Sequence, residues 1–96
     1  MNEKQVERRI CDFAKTYGIT TLKLSGPNAR GQADRLFMKD GKTAFLEVKR
    51  PGGLPTKLQL KFLAGRVADG FAAGWADTPE KGIEFLTKVF LEDFEI

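Results

Sequence analysis

Three residues near the middle of the chain, Asp34, Glu47 and Lys49, have the types and spacing that metal-dependent hydrolysis needs. Two carboxylates can supply oxygen ligands to a hard divalent cation, and a lysine beside them adds a compact, tunable positive charge. The chain contains no histidine, which excludes histidine-activated nucleophiles and histidine-rich zinc sites. The sequence therefore favours chemistry based on carboxylates, lysine and a metal ion.

Asp40 and Gly41 predict a β-hairpin that would bring these residues together. Asp-Gly between two alternating segments favours a two-residue type I′ turn, which requires positive φ at both positions. If the residues flanking the turn pair, paired residue numbers sum to 81, and Asp34 lies opposite Glu47 on the same face. Such partners have Cβ atoms about 4.5–5.5 Å apart, and like charges there are destabilising, so we expect a divalent cation between them. Lys49 points to the same face about 6.6 Å farther along the strand.

Composition indicates one cytoplasmic domain, spanning residues 1–96, that faces a polyanion. The chain is long enough for one small core, its apolar runs are too short to cross a membrane, and no signal-peptide pattern opens it. A single cysteine, Cys11, excludes an internal disulfide framework and fits a reducing compartment. The net charge of +3 is unevenly divided, because residues 1–66 hold fourteen Lys/Arg against six Asp/Glu and residues 67–96 hold two against seven. A positive part of this kind is typical of proteins that contact nucleic-acid phosphates.

Apolar periodicity and breaker residues predict an α/β fold with the order α-β-β-β-α-β-α and a mixed central sheet flanked by helices. The predicted elements are a helix over 3–17, strands over 19–25, 32–39 and 42–49, a helix over 56–69, a strand over 71–76, and a final helix from Pro79 to about Phe90. In the second helix, four apolar residues are predicted to face inward: Leu60, Leu63, Ala64 and Val67. The acidic hairpin forms the second and third strands.

This element order and several short motifs resemble the PD-(D/E)XK nuclease superfamily, and more closely its small VRR-NUC nucleases from phages and bacteria. The resemblance covers nearly the whole chain and implies a restriction-endonuclease-like fold. The residues that carry it are Glu7, the Gly-Gln-Ala-Asp-Arg segment 31–35, Glu47-Val48-Lys49, Pro51-Gly52-Gly53 and Gln59. Ala33 departs from the family pattern, which usually has proline before the aspartate. Proline at that place shapes the backbone and binds no metal, so the departure does not put activity in doubt.

The resemblance implies a site for Mg²⁺ or Mn²⁺ held by Asp34, Glu47 and the backbone carbonyl of Val48. A bound divalent ion lowers the pKa of water and neutralises charge that develops on the scissile phosphate. Lys49 would orient or deprotonate the attacking water and hold the phosphate.

Two further catalytic candidates each have an alternative. Related junction resolvases carry a helix glutamate at the distance that separates Glu7 from Gly18, but Glu3 competes for this role from a first turn that is prone to fraying. The family also uses a glutamine near the metal-bound waters, at the place of Gln59. Here Gln59 follows Thr56 in the spacing of a capping box, in which its side chain would bond to the cap amide. We expect only one of these two roles to be filled.

Long cationic side chains around the site are predicted to contact DNA phosphates without identifying bases. They are Lys23, Arg30, Arg35, Arg50, Lys57 and Lys61. Arg35 has an alternative, which is an ion pair with a nearby acid.

The residues together predict a divalent-metal-dependent DNA endonuclease, and the resemblance implies branched substrates such as four-way (Holliday) junctions. Symmetric cleavage of two strands requires two sites and hence a homodimer. Its candidate interface comprises the apolar strand 71–75 and three phenylalanines near the C-terminus: Phe85, Phe90 and Phe94. The alternative function is a catalytically weak DNA-binding module that positions a partner enzyme. A third alternative is a sequence-specific restriction enzyme on the same fold, but such an enzyme would usually carry extra recognition elements.

Overall fold

The computed structural model describes residues 1–24 and 31–92 and has the predicted order of elements. These elements are α1 (Glu3–Thr16), β1 (Thr20–Lys23), β2 (Arg35–Lys39), β3 (Lys42–Val48), α2 (Lys57–Ala68), β4 (Ala72–Ala76) and α3 (Pro79–Leu86), which continues as a π-helical turn (Thr87–Leu91). Arg30, a predicted DNA contact, and Phe94, a candidate interface residue, lie outside the described residues.

The four strands form one sheet in the order β1-β2-β3-β4. The pairs β1–β2 and β2–β3 are antiparallel, whereas β4 runs parallel to β3 after the crossover through α2. Alternate residues of β3 face opposite sides of the sheet: Ala44, Leu46 and Val48 join the core with α1 and α3, whereas Phe45 and Glu47 contact α2. The prediction of a mixed sheet flanked by helices, in the order of the restriction-endonuclease-like fold, is confirmed.

The hairpin register is the one that the Asp-Gly turn predicts. Asp40 and Gly41 have φ values of 52° and 79°, as a type I′ turn requires, and β2 pairs with β3 from Lys39↔Lys42 to Arg35↔Leu46. One further step in this register places Asp34 opposite Glu47. The second strand begins at Arg35 and not at the predicted residue 32. At this point the Val48 amide of β3 donates to the side chain of Asp34, and not to a backbone carbonyl of the neighbouring strand, so the regular pairing stops.

The core lies between the sheet and the pair α1–α3. Val6, Ile10 and Ala14 form the buried stripe of α1, and they meet Phe37 and Leu46 of the sheet. Gly82 permits close packing of the two helices, because a Cβ atom there would collide with the side chain of Ile10.

The predicted inward face of α2 is wrong. Of the four residues expected to face inward, only Leu63 is buried, with 6% of its surface exposed, whereas Leu60 and Val67 are 46% and 56% exposed and Ala64 is also exposed. The inward side is instead formed by Leu63, Phe62 and Gln59. Phe62 packs edge-on against Phe45 of the sheet, with the ring centroids 5.8 Å apart. The apolar pattern misleads here because apolar residues occur on both sides of this helix, and a polar residue that bonds to the sheet occupies an inward position.

The final helix differs from prediction in its last turn. α3 ends at Leu86, and the π-helical turn that follows buries Phe90 in the core. Phe85 packs against the same core, so these two candidate interface residues have structural roles within the chain. Among the described residues, no helix is both long and apolar enough to cross a membrane.

The orientation of α2 can be tested by the same substitution on its two sides. Leu63→Ala should cost about 2–5 kcal/mol of unfolding free energy, because it removes a buried side chain. Leu60→Ala should cost about 1 kcal/mol or less, because the side chain is already half exposed. Urea denaturation of both variants measures the difference, and equal losses would restore the orientation predicted from the sequence.

Candidate active site

Asp34 lies directly before β2, between the neighbouring strands β1 and β3. Its backbone carbonyl accepts a hydrogen bond from the Leu24 amide at 2.9 Å, and its carboxylate accepts one from the Val48 amide at 2.8 Å. Burial raises the pKa of Asp34, although the Val48 amide acts in the opposite direction. The Glu7 carboxylate raises this pKa further and Lys49 lowers it. Because the net direction is upward, a nearby cation would stabilise the ionised form.

Glu47 is the one buried charged residue of the described part of the chain, with 2% of its surface exposed. Its Oε2 atom accepts a hydrogen bond from Gln59 Nε2 at 2.9 Å and lies 3.4 Å from Lys49 Nζ. Its Oε1 atom is buried without a hydrogen-bond partner. Burial, and then the charge of Asp34, raise the pKa of Glu47 to about 7, against the opposing effect of Lys49. A buried carboxylate oxygen without a partner is costly, so this atom is poised to bind a cation or a proton.

Gln59 caps α2 and also bonds to Glu47, so capping does not keep its side chain away from the acidic site, contrary to the expectation from the sequence. Its Oε1 atom accepts a hydrogen bond from the Thr56 amide at 2.8 Å, which completes the capping box of α2. Its Nε2 atom donates to Glu47. A carboxamide has an acceptor at one end and two donors at the other, so helix capping leaves the amino group free to hold the acidic site. The first turn of α2 is thereby linked to a carboxylate of β3.

Lys49 follows β3 and is positioned by the parallel pairing with β4. Its backbone amide donates to the Ala76 carbonyl at 2.8 Å, which extends the β3–β4 register by one residue beyond Val48↔Ala76. Its ammonium group is mostly buried beside Glu47. The structure therefore brings Asp34, Glu47, Lys49 and Gln59 together at the end of the sheet where β2 begins and β3 ends, called the site end below.

Glu7 and Arg35 form an ion pair at the site end, on the α1 side of the sheet. Arg35 Nε donates to Glu7 Oε2 at 2.6 Å, and both side chains are mostly buried. This is the alternative that the sequence left open for Arg35. Both glutamates of α1 lie near the carboxylate pair, since the charge of Glu7 raises the pKa of Asp34 and that of Glu3 raises the pKa of Glu47. Glu7 is the more enclosed of the two and is held in place.

The other predicted DNA contacts are exposed cations around the site end. Lys23 ends β1, Arg50 follows Lys49, and Lys57 and Lys61 lie in the first half of α2. Within residues 1–24 and 31–92, no ion pair engages any of these four side chains. Lys61 also borders an apolar cleft of about 390 Å³ along α2.

The residues present fit a divalent cation. Two carboxylates face each other across the hairpin, both have raised pKa values, and one buried oxygen lacks a partner. In the described ranges, no group of three or more His, Cys, Asp or Glu side chains is gathered at one point, so Asp34 and Glu47 are the acidic donors there. Mg²⁺ and Mn²⁺ suit such a site, since Mg²⁺ binds through one or two carboxylates and keeps several waters.

Asp77 is a positioning residue that the sequence analysis missed. Its carboxylate accepts hydrogen bonds from the Gly52 amide at 3.1 Å and from Lys81 Nζ at 2.8 Å. These donors, Lys81 first, lower the pKa of Asp77. Gly52 has φ 82° within a turn closed by a 2.8 Å bond between the ends of residues 50–53, as in a type II turn. Asp77 therefore fixes the turn that directly follows Lys49. The Pro-Gly pair in the sequence indicated the turn, but no local signal indicated its distant acceptor.

Comparison with known proteins finds a phage relative of this chain. No family model matches the chain. The chain is 34% identical over 62 residues to a curated protein, "Putative nuclease p44" of Acyrthosiphon pisum secondary endosymbiont phage 1. The match covers 64% of this chain and 67% of the relative.

The raised pKa of Glu47 predicts a pH-dependent stability of the metal-free protein. The folded-state pKa of about 7 exceeds the ordinary glutamate pKa of 4.5, so the folded state holds the proton more tightly than the unfolded state. Stability should therefore fall as pH rises between these two values. Glu47→Gln removes this titration, and in EDTA the variant should gain on the order of 1–3 kcal/mol relative to wild type between pH 5 and pH 8. Thermal unfolding at both pH values measures this gain.

Glu84→Gln is the matched control, because Glu84 is a well-exposed glutamate of α3. Its stability should follow that of the wild type across the same range. If Glu47→Gln also follows the wild type, burial does not perturb the Glu47 carboxylate in the way described.

Proposed function

Because the chain belongs to the same family as the phage protein named "Putative nuclease p44", we propose that it is a divalent-metal-dependent DNA endonuclease of the VRR-NUC type within the PD-(D/E)XK superfamily. The observation that carries this proposal is the buried Glu47 carboxylate, opposite Asp34 and beside Lys49, with one oxygen that has no partner. The relative's name supports nuclease activity. Metal dependence rests on the donor set of this chain.

Asp34, Glu47 and the backbone carbonyl of Val48 would hold Mg²⁺ or Mn²⁺. When bound, the ion supplies Lewis acidity, which makes a bound water more acidic and neutralises charge on the scissile phosphate. The Val48 amide already fixes the Asp34 carboxylate, and Gln59 fixes that of Glu47. These bonds orient the two carboxylates before any ion binds, which reduces the cost of organising the site.

Lys49 is placed to act on the attacking water and on the phosphate. Its Nζ lies 3.4 Å from Glu47 Oε2, so it can hold a water or a phosphate oxygen against the carboxylate side of the site. Hydrolysis adds the water oxygen to phosphorus, breaks one P–O ester bond and leaves a proton on the departing oxygen. Arg35 holds the Glu7 carboxylate at the edge of this site, where Glu7 can orient a second water.

The proposed substrate is branched DNA, such as a four-way junction, acted on inside the host cell. The basic part of the chain, residues 1–66, carries the site end, and the acidic part, residues 67–96, leaves a surface that DNA phosphates avoid. The proposed contacts are to phosphates, which carry no base sequence, and this favours selection by shape. A homodimer would present two such sites, and β4 is an edge strand of the sheet that could lie at its interface.

The assignment of the metal ligands can be tested with conservative variants. Asp34→Asn and Glu47→Gln should each abolish cleavage of a four-way junction, a flap and a linear duplex in Mg²⁺ or Mn²⁺. DNA binding should remain or tighten, because each change removes a negative charge near phosphate. Lys49→Ala should lower the cleavage rate by about 10²-fold or more with little change in affinity. Gel-based cleavage and fluorescence anisotropy measure the two effects, and EDTA should stop the wild type.

Lys57→Ala and Lys61→Ala serve as matched lysine controls. Each should weaken binding to every DNA shape and lower the salt slope by about one, with the cleavage rate of bound DNA preserved. Metal-dependent cleavage by Asp34→Asn or Glu47→Gln would refute the ligand assignment. Metal-independent binding without any cleavage by the wild type would instead identify a DNA-binding module that positions a partner enzyme.

The dimer can be tested by mixing active and inactive chains. Light scattering should give twice the mass of one chain, and the wild type should make paired incisions in opposite strands of a junction. Since every ligand comes from one chain, a mixed dimer of wild type and Asp34→Asn should make single nicks, and paired incisions should fall as the square of the active fraction. A protein that is monomeric at micromolar concentration and nicks once would refute the dimer and leave the nuclease standing.

A further inference from the structure

A second cationic surface lies beside the proposed site, on the α1 side of the sheet. It is a groove of about 280 Å³ between α1 and the β1–β2 edge of the sheet. Its lining residues are Lys4, Glu7, Arg8, Cys11, Asp12, Lys23 and Arg35, and the surface they form is called the α1 groove. The Glu7–Arg35 ion pair belongs to its wall, so the groove begins where the proposed site ends.

The cations of the α1 groove differ in whether the fold already uses their charge. Arg35 is bound to Glu7. In contrast, no ion pair within residues 1–24 and 31–92 engages Lys4, Arg8 or Lys23. Lys4 and Arg8 are both exposed and lie one helical turn apart, so they project from the same side of α1. Three cations that have no ion-pair partner among the described residues, along one short groove, are arranged for an external polyanion.

The position of the α1 groove complements that of the cations on α2. Glu7 of α1 contacts Arg35 at the start of β2, and Gln59 of α2 contacts Glu47 near the end of β3. The first halves of both helices therefore meet the sheet at the site end. Lys4 and Arg8 lie on one side of the carboxylate pair, and Lys57 and Lys61 lie on the other side. A polyanionic strand that crosses Asp34 and Glu47 would pass from one set of cations to the other.

We propose that the α1 groove binds backbone phosphates of the nucleotides on one side of the scissile bond, while the cations of α2 bind those on the other side. The position of these phosphates relative to a scissile bond rests on the proposed nuclease function, but phosphate binding by the groove does not. DNA held on both sides of the carboxylate pair is cleaved at internal bonds, because a bond next to a strand end would leave one set of cations without phosphates.

The first test measures binding without catalysis. Lys4→Ala/Arg8→Ala should reduce the slope of log affinity against log salt by about two, at about 0.9 per phosphate contact, for a fluorescent duplex in EDTA. The control is Lys39→Ala/Lys88→Ala, which removes the same charge at the hairpin end of the sheet. Lys39 forms an ion pair with Asp40 of the hairpin turn. Lys88 is also near this turn, because the carbonyl of its neighbour Val89 accepts a hydrogen bond from Lys42 of the hairpin. The control should change the slope by less than one.

The second test shortens the DNA on one side of a fixed cleavage position. Removing nucleotides from the end that lies over the α1 groove should weaken cleavage by the wild type and have little effect on Lys4→Ala/Arg8→Ala. Shortening the opposite end should affect both proteins equally. The loss from the double substitution and the loss from shortening the DNA are then non-additive at the α1-groove end only. This is expected when the substituted cations contact the removed phosphates.

The outcomes separate this inference from the proposed function. A groove variant with the same salt slope as the control, or with equal sensitivity at both DNA ends, would overturn the α1 groove even if the protein is a nuclease. A reduced slope in a protein that cleaves nothing would support the groove and overturn the nuclease.

Discussion

The interaction on which the rest of the site depends is the approach of two carboxylates, one buried (Glu47) and one half-buried (Asp34). Asp34 and Glu47 raise each other's free energy in the ionised form, and the surrounding residues limit this cost. The Val48 amide, the Gln59 carboxamide and the Lys49 ammonium each donate to one of the two side chains or lie beside it. One oxygen of Glu47 is still left without a partner. A buried acid with an unsatisfied oxygen raises the free energy of the empty site, and either a bound cation or a proton would lower it.

The residues that form this site could largely be predicted from the sequence because the hairpin turn is a strong local signal. The Asp-Gly pair determines the register, and the register places Asp34 opposite Glu47 and Lys49 on the same side. The inward face of α2 could not be predicted in the same way. Leu60 and Val67 are apolar but exposed, while a glutamine lies inward. Periodicity counts apolar residues, and it cannot anticipate a polar side chain whose partner is on another element.

The remaining differences have the same origin in long-range contacts. Local spacing does not indicate the ion pair of Arg35 with Glu7, which spans 28 positions of sequence. Nor does it indicate the hydrogen bond from the Gly52 amide to Asp77, which spans 25 positions. The π-helical turn after α3 likewise follows from the burial of Phe90. The fold therefore divides its cations into two groups. One group forms ion pairs with acidic side chains and comprises Arg35, Lys49 and Lys81. The other group has no ion-pair partner among the described residues and comprises the exposed cations around the site end, Lys23, Arg50, Lys57 and Lys61.

The double use of Gln59 has a consequence for the motions of the site. Helix ends open locally far more often than the whole protein unfolds, and the first turn of α2 includes the residue that holds Glu47. Each transient opening of that turn releases the carboxylate from its donor. The rate at which Glu47 can reorient is therefore set by the fraying of a helix terminus and not by global unfolding. Ion entry and exit would then share the timescale of a single helical turn, which hydrogen exchange at the amides of residues 57–59 would report.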